Sequence, residues 1–137
     1  MVRNINKDIN LLKIKATKAT IEDTKIANDL RDTLLFNQAR CVGMAANMIG
    51  EYKAIIAFFD DDGKIIIMYN PKIIHKLGEY DTKEGCLSLE GQRATKRHKK
   101  IKVEYENENF LKRIKTFNDF TAEIIEHEID HLNGIII

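Results

Sequence analysis

Residues 119–134, DFTAEIIEHEIDHLNG, constrain this chain more than any other stretch. At helical spacing Phe120, Ile124, His127 and His131 share one face, and Ile125, Ile129 and Leu132 share another. A helix that is apolar on most sides is a buried helix, so the rest of the chain must be built around it. Asn118 or Asp119 can cap its start, and Gly134 suits the position just past its end. With 137 residues the chain is the length of one domain, 1–137, with one core. These features predict an α+β fold, with few helices and mostly antiparallel sheets around the buried C-terminal helix.

The remaining elements follow from periodicity and turn chemistry. Ile26, Leu30 and Leu34 recur at i, i+4 and i+8 within 21–38, which predicts an amphipathic helix. CVGMAANMIG (41–50) is rich in small residues and suits a close backbone approach. YKAIIAFF and KIIIMYN flank Asp61-Asp62-Gly63 and read as a hairpin, with Pro71 starting a further extended piece. EGCLSLEG (84–91) reads as a short strand bounded by glycines. KKIKVEYENENFLKRIKTF reads as a second hairpin that turns near Asn107–Asn109.

Composition narrows the function. The chain is 44% hydrophobic and 31% charged, with a formal net charge of +1, so no global field favours nucleic acid or an anionic membrane. No apolar run approaches a bilayer span, and the N-terminal residues lack the apolar core of a secretory signal. Cys41 and Cys86 are the only cysteines; both are expected to be reduced and the compartment cytoplasmic. The densest basic run, RATKRHKKIK (93–102), could track phosphates, but no aromatic interleaves it. A solvated strand face is the simpler account, and nucleic acid is not the expected partner.

Chemistry concentrates on the last helix. His127 and His131, four residues apart, project from one face and can both grip one ion. Glu128 lies one residue round, placed to touch a water beside that ion without binding the ion itself. The longer pattern His-Glu-x-x-His-x-x-Gly-x-x-His has its glycine here as Gly134 but Ile137 where the third histidine would stand. A third ligand must therefore come from upstream. His75 and His98 sit among lysines, which disfavours a dication, and both read as surface histidines. Cys41 reads as a small core hydrophobe. Cys86 follows a glycine in EGCLS, and its thiolate would complete a Cys-His-His set that leaves one position open, a ligand count typical of catalytic metal centres.

EGCLS (84–88), HEIDH (127–131) and GMAANMIG (43–50) resemble the three motifs of peptide deformylase, in the same order and at similar spacing. YNPKI (69–73) and the continuation of EGCLSLEGQR to Arg93 extend the likeness over most of the chain from about residue 20. The resemblance implies Cys86, His127 and His131 as metal ligands, Glu128 as the general base, and the Leu87 N–H as a donor to the formyl oxygen. It implies Val42, Gly43, Met48 and Arg93 on the substrate side, with Val42 and Gly43 pairing with the peptide backbone as an added strand. Glu84 would steady the loop, with an arginine as partner. The implied metal is Fe(II), with Zn(II), Ni(II) or Co(II) as surrogates. The implied substrate is an N-formylmethionyl peptide or the N-terminus of a nascent chain.

Against the family pattern Gly-x-Gly-Leu-Ala-Ala-x-Gln, this chain has Cys41, Met44 and Met48 in place of the first glycine, the leucine and the glutamine. Methionine cannot donate the amide hydrogen bond of the glutamine, so reduced or shifted activity is expected. The chain ends three residues after Gly134, where many relatives continue into a helix that reaches the ribosome, so ribosome docking is doubtful. A catalytically weak or inactive deformylase-like module that binds peptide N-termini is the alternative reading.

Overall fold

The computed structural model describes residues 1–137. Three helices, α1 (Ile9–Leu12), α2 (Thr24–Phe36) and α3 (Asp119–Leu132), accompany five strands. These are β1 (Gly43–Ala45), β2 (Ile55–Phe59), β3 (Ile65–Gly85), β4 (Gln92–Glu106) and β5 (Lys112–Asn118). The strands form one antiparallel sheet in sequence order.

β2 explains how the layers assemble. Its run IIAFF is apolar on both faces because both are covered. Ile55 and Ala57 join Leu30 and Leu34 of α2, while Ile56 and Phe58 join Ile124, Ile125 and Ile129 of α3. The two-residue period of the strand thus divides the core into two clusters, one under each helix. Burying each leucine or isoleucine contributes roughly 1.5–3 kcal/mol, so the two clusters rather than any local propensity seat the helices.

The helix expected at 21–38 is present as a 3-10 turn over Ile21–Asp23 that leads into α2, with Thr20 and Asp23 capping each other reciprocally. The hairpin at Asp61-Asp62-Gly63 joins β2 to β3, and Asn107–Leu111 joins β4 to β5. Gly134 follows α3 with φ +74°.

Three expectations are corrected. Pro71 does not begin a separate piece: β3 runs through it, with a register shift between Tyr69 and Lys72 where Asn70 takes φ +53°. A bulge tolerates a residue without an N–H, and the Asn70 side chain holds the bend by donating to the Ala19 carbonyl at 3.0 Å. EGCLSLEG is not a strand. Gly85 and Gln92 are the last pair of the β3–β4 ladder, and 86–91 is the connection between them. Gly91, at φ +73°, lets that connection turn back. Phe120 shares the cavity-lining face of α3 with Ile124 and His127, but it is 60% exposed there rather than buried.

Candidate metal centre

α3 carries His127 and His131 into the interior, and the β3–β4 connection brings Cys86 to meet them. One ligand atom from each of the three lies within 4.8 Å of the others. The two Nε2 atoms are 3.0 Å apart. His127 Nδ1 lies 2.8 Å from Glu84 Oε1, which places the ring proton on Nδ1 and leaves the Nε2 lone pair facing Cys86 and His131.

Glu84 is itself held. Arg97 donates to it from Nε at 3.0 and 3.1 Å and from Nη2 at 2.8 Å, and donates from Nη1 to Asp130 at 2.7 Å. The sequence reading gave Glu84 an arginine partner; the structure shows that it also orients a histidine. Burial alone would raise the Glu84 carboxyl, but His127 and Arg97 hold it down at about 2.

Burial works against a charged His127, yet the Cys86 sulfur and Glu84 outweigh it and push the ring up to about 10. Burial, then His127 and Arg97, push His131 down to about 3. One cysteine sulfur with two imidazoles is a donor set that a divalent transition metal fits. Glu128 borders the cluster at 4% exposure, its Oε1 without a hydrogen-bond partner. Burial pushes its carboxyl up to about 7, with His127 opposing and Glu84 adding to the rise.

Cys86, His127 and Glu128 line a cavity of about 250 Å³, and His131 is fully buried beside them. One wall is β1. Phe59 N donates to the Val42 carbonyl at 3.0 Å, so the alternation of an antiparallel ladder turns the Gly43 N–H and C=O to the opposite edge, where the carbonyl accepts from Cys41 Sγ at 2.8 Å. Of the two backbone groups expected to pair with a peptide, Gly43 is the one so presented, since the Val42 carbonyl is already taken by β2. A Cβ on Gly43 would sit 2.9 Å from Ile124 Cγ2 and 3.0 Å from Glu128 Oε2, so only glycine lets this wall lie against α3. The other wall is the end of β3 with Cys86 and Leu87. The Leu87 N–H makes no hydrogen bond within the chain. Met48, 1% exposed, lines the cavity and offers no donor.

Other candidates fall elsewhere. Arg93 does not line the cavity. Gln92 does; Arg93 stands opposite Glu84 in the β3–β4 ladder and donates to the Glu90 carbonyl at 3.1 Å. His98 is not a surface histidine, since α3 covers it and Glu126 meets its Nδ1 at 3.0 Å; His75 is exposed. Cys41 is half-buried at the edge of the core and also borders the cavity; burial, above all, pushes its thiol up to about 12. The sequence reading missed Arg40, Lys83, Gln92 and Glu123 as cavity residues. Strand alternation could have indicated Gln92. No helix is long and apolar enough to cross a membrane.

A family model described as Polypeptide deformylase matches residues 2–137. The chain belongs to the polypeptide deformylase family. It is 49% identical over 138 residues to a peptide deformylase of Clostridium beijerinckii, covering 100% of each chain. It is 38% identical over 129 residues to peptide deformylase 2 of Clostridium acetobutylicum, covering 92% of this chain and 85% of that one. Among solved structures it is similar to a class I type b peptide deformylase from Acinetobacter baumannii, with TM-score 0.88 and 27% identity over 99% of this chain and 97% of that one. The peptide deformylase of Thermotoga maritima gives TM-score 0.88 and 25% identity over 99% and 95%. The mixed α+β architecture, an antiparallel sheet with a buried C-terminal helix, is the fold of these deformylases.

Proposed function

We propose that this chain removes the N-formyl group from formylmethionyl peptides at one divalent metal ion held by Cys86, His127 and His131. The observation that carries the reading is the convergence of those three side chains, two of which line a cavity, beside a buried carboxylate with an unpartnered oxygen. When bound, the metal supplies positive charge that polarises the formyl carbonyl and acidifies water. Glu128 takes the proton of the attacking water and passes it to the amine nitrogen as the amide bond breaks. The Leu87 N–H donates to the formyl oxygen as negative charge develops there. The Gly43 N–H pairs with the peptide backbone, and Glu84 keeps His127 Nε2 aimed at the metal. Fe(II) is the proposed cellular metal, with Zn(II), Ni(II) or Co(II) as surrogates, and the reaction is placed in the cytoplasm. Met48 leaves the oxyanion one donor short, so turnover is slow rather than absent.

Formate release from formyl-Met-Ala-Ser by anaerobically prepared Fe(II) protein tests the reading. Release by the wild type, with loss in Glu128→Ala at unchanged metal content, is the expected result. No release from either wild type or Met48→Gln would refute the assignment.

A further inference from the structure

The chemistry sits at one end of the cavity, and the two walls leading away from it end in cations. Gly43 lies against Glu128, and Arg40 stands three residues before it. Cys86 lies in the metal cluster, and Lys83 stands three residues before that. The end of β3 is extended, so Lys83 stands about 10 Å from Cys86, while Arg40 sits in the turn that leads into β1. Both are exposed and line the cavity, Arg40 on the β1 side and Lys83 on the β3 side.

Both cations are exposed, and neither has a carboxylate within salt-bridge distance: Arg40 donates only to the neutral Asn37 Oδ1 at 3.3 Å, and Lys83 makes no side-chain hydrogen bond. The three carboxylates of the cavity are engaged or remote. Glu84 is held by Arg97, Glu128 is buried at the floor, and Glu123 accepts from the Tyr80 hydroxyl at 2.9 Å. The mouth thus carries two unpaired positive charges with a neutral amide, Gln92, between the walls.

We propose that Arg40 and Lys83 form an outer subsite that selects peptides with an acidic side chain at the second or third residue after the formylated methionine. This rests on the reading above and names the substrate class. Two charges flanking a cleft act additively on a carboxylate between them and repel an ammonium there. Their action is screened by salt, since both are in contact with solvent.

The test compares kcat/KM for formyl-Met-Ala-Asp, formyl-Met-Ala-Ser and formyl-Met-Ala-Lys, in wild type and in the double variant Arg40→Glu, Lys83→Glu. At low ionic strength the wild type is expected to favour the aspartate peptide over the lysine peptide by about three- to tenfold, and the double variant to reverse the order. Competition binding of the unformylated peptides Met-Ala-Asp and Met-Ala-Lys to the metal-loaded protein repeats the comparison without turnover. Equal handling of acidic and basic peptides, or a preference that survives charge reversal, overturns the subsite. A binding preference that reverses in the variant while no peptide yields formate supports the subsite and refutes the deformylase chemistry.

Discussion

At the scale of single residues, the cavity is decided by what a few positions lack. Met48 lacks an N–H. Restoring one in Met48→Gln is expected to raise kcat by roughly a hundredfold with little change in KM, because one oxyanion donor is worth about 2.7–4 kcal/mol in the transition state; steady-state formate kinetics measure it. Gly43 lacks a Cβ. Gly43→Ala forces Ile124 and Glu128 to shift and is expected to cost about 1–3 kcal/mol in denaturant unfolding while displacing the base. Glu84 acts through His127. Glu84→Gln keeps the shape but weakens the hold on Nδ1, and metal affinity measured by competition with a chelator is expected to fall about 10–100-fold. His127, His131 and Glu128 were legible in the sequence from residue chemistry and helical spacing, and Cys86 from elimination of the other candidates and the likeness of EGCLS to a deformylase motif. Arg40 and Lys83 were not, because their nearness to the cavity depends on how two distant walls face each other.

At the scale of elements, the two long helices were the most legible, while the short α1 and the strand ends were the least. α2 and α3 announce themselves by periodic apolar positions, and packing on β2 enforces the same period. The β3–β4 connection was misread because Cys86, Leu87 and Leu89 look like strand residues, whereas the ladder stops at Gly85 and Gln92. His98 was misplaced for a related reason: which face a strand residue occupies is set by pairing register, which a single sequence does not display. The connection itself yields a prediction. Gly91 has open space around it, so Gly91→Ala pays only for a left-handed backbone, about 1–2 kcal/mol. Because Cys86 rides on the same connection, the thiolate-to-metal absorption band of the Co(II) protein is expected to shift in that variant.

At the scale of the whole molecule, the N-terminal segment straps the domain together. Arg3 reaches Asp29 of α2 at 2.9 Å and Glu51 at 3.0 Å, and Ala16 N donates to the Leu132 carbonyl at 2.8 Å. Burial would raise the Asp29 carboxyl, but the Met1 ammonium and Arg3 hold it below the usual range. A carboxyl lowered in the folded state contributes stability at neutral pH that is lost as pH falls below about 4 and through the folded value. The melting temperature is therefore expected to drop on acidification, and to drop less steeply in Asp29→Asn. The salt-bridge path from α3 also has a closed form. It leaves the helix at Asp130, crosses β4 at Arg97 and β3 at Glu84, and re-enters the same helix three residues earlier at His127. Such a triangulated truss cannot lose one corner by a slide of the helix without loosening the others. Extraction of the ion and unseating of the last helix should then register as one cooperative event in a melt rather than two.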